Sequence, residues 1–308
     1  MHDTIASVLS ALEAVSVGWL VLAVTLHLAN MLARSCVWRK VLQLSWPDRA
    51  IRVRDVARAY CVGVAVNAVV PARGGDVVKV GLVKARIPGA DMPAVAATIA
   101  AMSMVDMLIG ALIVSGLLVT GAVGLPISVH QLAHVSGSVA WIAVILGAVA
   151  CAGVMVACIR SAPVRTLLRR LAASIAHGLQ GLRSPGWYAR KVVPLHMIAW
   201  AARISTVYCM ASAFHLPATV QIAAAAVAVH GVASLVPVPG GLGAQQAVHV
   251  ALFAGLSPIA QVLSFSVASQ MVTSTLNIAI GTMIMMAMIG TIRPRRAWLH
   301  AVQAARSG

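Results

Sequence analysis

The chain has 308 residues, 60% of them hydrophobic and only 10% charged, with a mean hydropathy of +0.93. A water-soluble domain carries about 25% charged residues, so this chain cannot cover its surface in water and reads as an all-α, polytopic integral membrane protein. Its 23 Lys and Arg against 7 acids give a net charge of +16; in a membrane protein that excess belongs to cytoplasmic loops, and no nucleic-acid partner is expected. Cys36, Cys61, Cys151, Cys158 and Cys209 include no CxxC pair and lie mostly in apolar runs, so they read as small buried hydrophobes. The stretch before the first apolar run holds Asp3 and Glu13 but no Lys or Arg, and no cleavable signal peptide is expected.

A bilayer-spanning helix needs about 20 mostly apolar residues. In chain order, the first such stretch is 14–33. Next comes 59–84, interrupted by VVPARGGD at 69–76, and then a long span over 94–118. A further span, 139–159, leads into 160–191. There Leu167, Leu168, Leu171, Ile175, Leu179 and Leu182 recur at helical spacing beside Arg165, Arg169, Arg170 and Arg183. That pattern fits an amphipathic helix on the anionic inner leaflet, or a solvated linker. A span at 192–213 precedes a second interrupted region, 220–254, broken by LVPVPGGLG, and 259–290 is the last span. Each interrupted region gives two short legs around a Pro-Gly break, the pattern of re-entrant hairpins or discontinuous helices.

The two breaks resemble each other when shifted by 166 residues, and a proline (Pro93, Pro258) and a long apolar helix follow each. The expected domain is therefore one transmembrane unit of five full spans and two opposed hairpins. Repeat one covers about 14–121, a linking segment about 139–191, and repeat two about 192–290. The odd span between the repeats inverts the second. With the N-terminus outside and the C-terminus inside, 20 of the 23 Lys and Arg, Arg34 among them, fall on inner segments and none on outer ones. Arg73, Lys79 and Arg203 remain at membrane depth. Inverted repeats with broken helices are a transporter plan.

The densest chemistry is Asn67-Ala-Val-Val-Pro71-Ala-Arg73-Gly74-Gly75-Asp76. Pro71 ends the first leg, since it lacks an N–H donor and disfavours helix at Val70. Gly74 and Gly75 permit a turn and close backbone approach. The second leg then begins with free N–H groups, which beside Arg73 make a seat for phosphate. Asp76 can cap that leg, pair with Arg73, or meet Lys79 one turn on; an ion pair that merely fixes the hairpin is the alternative. The second tip offers Pro237, Pro239, Gly240, Gly241 and Gly243, followed by Gln245, Gln246 and His249, with no formal charge. Asp106 and Arg203 lie within spans, where charges are costly and usually functional. They can pair with each other, with the hairpin charges, or, for Arg203, with a lipid phosphate. His230 and His249 flank the second tip and can titrate or bind polar headgroups. No HxxxH or HExxH spacing accompanies His230 and His249 to point to a metal, and no Walker loop, GxSxG or Ser/His/Asp arrangement points to nucleotide-driven pumping or catalysis. Neither a cofactor nor an enzymatic role is expected.

At these residues the chain resembles the flippase-like transmembrane family named for the membrane region of lysylphosphatidylglycerol synthase, the multiple peptide resistance factor. That family pairs an Asn…Pro-x-Arg-x-Gly-acid motif with a later Pro-x-Pro-Gly-Gly-x-Gly. Here these are Asn67, Pro71, Arg73, Gly75 and Asp76, then Pro237, Pro239, Gly240, Gly241 and Gly243. The resemblance spans most of the chain and implies a prokaryotic inner-membrane protein that moves or handles lipids, including aminoacylated phosphatidylglycerol or lipid-linked precursors. Two departures stand out: the family often has a glutamate after the second glycine motif, where Gln245 and Gln246 stand, and an arginine in the last span, where Gln270 stands. A substrate other than the cationic aminoacyl lipids follows if those charges set headgroup choice. Because the chain ends soon after the last span, no soluble synthase domain is expected, and aminoacyl transfer is not carried over.

The function expected is translocation of a lipid with an anionic headgroup. The rivals are a small-solute or ion transporter with the same hairpins, and a non-transporting partner of a lipid-modifying enzyme. Small-residue helix faces would permit a homodimer.

Overall fold

The computed structural model describes residues 15–70, 74–121, 162–179, 185–233 and 243–291. Within them the chain forms ten helices: α1 (Val17–Ser45), α2 (Val53–Val69), α3 (Gly74–Lys84), α4 (Met92–Val119), α5 (Ala162–Gly178), α6 (Pro185–Lys191), α7 (Val193–Ala213), α8 (Val220–Ala233), α9 (Ala244–Leu252) and α10 (Ile259–Thr291). The expected span at 139–159 lies outside the described residues, as do Pro71, Arg73, Pro237, Pro239, Gly240 and Gly241.

Local chemistry sets the helix ends. Val70, with ψ 125°, is already extended ahead of Pro71, as a residue before proline must be. Asp91 caps α4 by accepting a 2.9 Å hydrogen bond from the Ala94 N–H, and Pro93 occupies the first turn, where a missing donor costs nothing. Trp46 ends α1 with Pro47 just beyond it. Both interrupted regions are two-legged: α2 with α3, and α8 with α9.

Three helices, α1, α4 and α10 up to Met288, are long and apolar enough to cross a membrane. Large side chains such as Leu112 (72% exposed) and Met271 (64%) stand on their outer faces, where water would be an unfavourable solvent. α7 has the required length at 21 residues, and His196 and Arg203 interrupt its apolar run. One boundary differs from expectation. α1 does not stop near Ala33 but continues to Ser45, so Arg34 belongs to a helix interior and not to an inner loop. Pairing with Asp106 removes the cost that would have ended the span there.

α1 packs along α7, and the two run antiparallel: the Ser16 N–H donates to the Ala213 carbonyl at 2.9 Å, joining the start of one to the end of the other. Around this pair α2 packs on α10 and α8 on α4, while α2 meets α3, α8 meets α9, α3 meets α4 and α9 meets α10. Glycines allow the closest crossings. A Cβ on Gly110 of α4 would meet the Trp200 ring at 3.4 Å and the Ala228 carbonyl of α8 at 3.9 Å, and one on Gly281 of α10 would fall 2.2 Å from the Ala65 Cβ of α2. Two larger apolar cores result, beside a small cluster of Trp200, Val227 and Ala228. One gathers Trp38 and Leu42 from the end of α1, Val56, Val80, Val83, Val95 and Val192; the other gathers Met210 and Phe214 from around the end of α7, Ile222, Leu252, Phe253, Val262 and Phe265.

α5 is strongly amphipathic in sequence and docks on the start of α4. Ser174 donates to Asp91, Ser45 donates to the Gly178 carbonyl at 3.0 Å, and His177 meets the Trp46 ring edge-on. The Ser174 hydrogen bond holds the Asp91 carboxyl below the usual carboxylate range. A depressed folded-state pKa means this contact contributes fully above the ordinary carboxylate pKa and is lost as pH falls through the lower, folded value. Acidification below about pH 4 is therefore expected to loosen α5. Hydrogen exchange over 162–178, corrected for its intrinsic pH dependence, should rise in the parent and show no such step in Asp91→Asn.

Candidate functional site

The polar interior centres on Asp106, halfway along α4. Arg34 of α1 donates from Nη2 to Asp106 Oδ2 at 2.7 Å and from Nε to the Tyr60 hydroxyl of α2 at 2.9 Å. Trp200 of α7 donates its indole N–H to Asp106 Oδ1 at 3.0 Å, and the His196 Nδ1 lies 3.4 Å from the same oxygen. The carboxylate is thus held from α1 and α7 while its own helix packs on α8. Arg34 and Asp106 are each about a fifth exposed (20% and 19%), which leaves an edge of the pair open. His196 is 1% exposed, with both ring nitrogens lacking a hydrogen-bond partner.

Tyr60 links this pair to the first hairpin, because Lys79 Nζ of α3 sits 4.9 Å above its ring. Lys79 also pairs with Asp76 at 2.7 Å, and Asn67 at the end of α2 ties the tip together. Its side-chain oxygen accepts from the Gly75 N–H at 2.7 Å and its amide donates to Asp76 at 3.1 Å. The legs touch where side chains are missing: a Cβ on Gly75 would stand 1.9 Å from the Gly63 carbonyl oxygen. Gly74 opens α3. Of the options open to Asp76, the structure makes the one with Lys79; Arg73 lies outside the described residues. The Gly75 N–H, expected to face a phosphate, is occupied by Asn67.

The described residues around α9 offer neutral groups. The Gly243 N–H donates to Gln246 Oε1 at 2.7 Å, with Gly243 at φ +85°, a conformation glycine adopts without strain. His249 is buried, its Nδ1 2.7 Å from the Ser266 hydroxyl, and its ring lies against Phe265. Gln245 stands half-buried on the same helix, and His230 half-buried on α8.

Arg203 is different. It is half-buried on α7 and forms no hydrogen bond or ion pair among the described residues, yet it lies within electrostatic range of Arg34, Tyr60, Asp106 and His230. The Asp106 partner is Arg34, not Arg203. Tyr60, His196 and Trp200 also belong to the site and were missed. A signal for His196 existed: His27-x6-Arg34 in α1 recurs as His196-x6-Arg203 in α7. A seven-residue interval returns to the same helix face, so each motif makes a polar stripe on an apolar rod.

The family model for the lysylphosphatidylglycerol synthase TM region matches residues 4–281, all of this site included. The chain belongs to that family. No curated protein and no solved structure matches it. In this member of the synthase TM-region family, two positions where the resemblance implies a glutamate and an arginine meet in space: Gln246 Nε2 donates to Gln270 Oε1 at 2.7 Å. An uncharged pair occupies a place where an ion pair could stand, so the second half of the domain loses one source of local charge.

Proposed function

We propose that this membrane protein translocates a lipid with an anionic headgroup, a phospholipid or a lipid-linked precursor, across the cytoplasmic membrane. The observation that carries the reading is Arg203. A guanidinium at membrane depth with no hydrogen-bond or ion-pair partner among the described residues is costly, and a phosphate is its best-matched ligand because two parallel N–H donors meet two oxygens. The headgroup enters between the helices beside Arg203, with Arg34, Arg73 and Lys79 adding positive potential and Asp76 and Asp106 offsetting it. Its acyl chains stay in the bilayer. No residue is assigned a catalytic role.

The helix pairing supports an inverted repeat. Exchanging α1–α4 with α7–α10 in order turns the α2–α10, α2–α3 and α3–α4 contacts into the α8–α4, α8–α9 and α9–α10 contacts, and the antiparallel α1–α7 pair maps onto itself. The charge bias supports an N-terminus outside and a C-terminus inside.

The test is Arg203→Ala in the full chain, reconstituted in vesicles containing fluorescent-headgroup phosphatidylglycerol. Headgroup flipping is expected to fall about tenfold or more, as losing a charged hydrogen bond implies, with the melting temperature retained. Unchanged flipping by the folded variant would remove the basis of the assignment.

A further inference from the structure

The polar residues obey the same exchange as the helices. His196 and Arg203 stand 169 positions after His27 and Arg34, and Asn277 and Gly281 stand 171 after Asp106 and Gly110. The contacts follow. His196 of α7 approaches Asp106 of α4 at 3.4 Å, and His27 of α1 meets Asn277 of α10, Nε2 to Oδ1, at 2.9 Å. The interior therefore holds two stations, and Asp106 and Asn277 are counterparts. In the first station the arginine, Arg34, is neutralised by an aspartate. The second has an asparagine at that position, and Arg203, the counterpart of Arg34 by this exchange, has no ion pair with a carboxylate among the described residues.

We infer that Asn277 is a specificity-determining residue: by standing where its counterpart is Asp106, it keeps Arg203 available as a seat for a phosphate group, while the Arg34–Asp106 station is held closed by its own ion pair. An amide in place of a carboxylate does two things. It removes a negative charge that would repel the incoming anion, and it retains an N–H that can donate to it. His27, hydrogen-bonded to Asn277, fixes that side chain and is a positioning residue. This rests on the lipid reading above, but assigns the discriminating charge to a residue of α10 outside both hairpins.

The experiment moves the carboxylate between stations. Full-length protein in detergent is titrated with phosphatidylglycerol, and with sn-glycerol 3-phosphate, under native mass spectrometry. Asn277→Asp is expected to weaken phosphatidylglycerol binding about tenfold or more, while Asn277→Gln keeps it. Because one variant can fail to fold, the charge-conserving double variant Asp106→Asn/Asn277→Asp is measured too. Its binding should persist but become sensitive to Arg34→Ala and indifferent to Arg203→Ala. If Asn277→Asp binds as the parent does while Arg203→Ala does not bind, Asn277 has no such role and the lipid reading stands. Phosphatidylglycerol binding unchanged by both overturns the seat and the lipid reading together. Glycerol 3-phosphate bound as tightly as the lipid supports the seat but makes its ligand a solute.

Discussion

Asp106→Ala is expected to destabilise the protein by about 3 kcal/mol, more than any other polar substitution in the interior. Removing one member of a buried ion pair costs about 3–5 kcal/mol because the other charge is left uncompensated; the lower end applies here because each side chain is about a fifth exposed (20% and 19%). Two donors lose their acceptor at once, the Arg34 guanidinium and the Trp200 indole N–H. Adding Arg34→Met should restore part of the loss, since the stranded charge goes with it. Thermal unfolding in detergent of the two single variants and the double variant measures this coupling. Strictly additive effects would mean the pair contributes nothing as a pair.

That same pair marks where the sequence was readable and where it was not. Hydropathy and the Pro-Gly interruptions place the helix breaks: α2 ends and α3 begins within 59–84, and α8 ends and α9 begins within 220–254, because proline and glycine act locally on the backbone. Arg34 was misplaced for the opposite reason. Counting cations treats an arginine at the end of an apolar run as a loop residue, and only a carboxylate 72 positions away makes it an interior one. Asp106 was recognisable as costly, but its partner was not, since Arg34, Arg73, Lys79 and Arg203 were all at hand. His249 looked available to a headgroup from its place beside the tip. Its hydrogen bond to Ser266, 17 residues on, accounts for it within the protein. Asn277 carried no charge to draw attention, and only its contact with His27 gives it meaning.

Gly75→Ala is expected to be the most damaging single-methyl change. Its Cβ would lie 1.9 Å from the Gly63 carbonyl oxygen, 2.7 Å from Asn67 Oδ1 and 2.8 Å from the Asn67 nitrogen. Two of those atoms are backbone, so no rotamer change relieves the overlap, and α2 and α3 must separate. Overpacking of this kind costs about 1–3 kcal/mol. The functional loss should be greater, because separating the legs strains the Asn67 bonds that seat the start of α3, and with them the Lys79 approach to Tyr60. Gly81 of the same helix is the control. A Cβ there meets nothing within 4 Å, and Gly81→Ala should stabilise α3 by up to about 1 kcal/mol through helix propensity alone. Melting temperature and phosphatidylglycerol flipping, measured on both variants, separate the two effects: Gly75→Ala should lose both and Gly81→Ala neither. If Gly75→Ala flips lipid normally, the contact between the hairpin legs is not what holds Lys79 and Asp76 in the site.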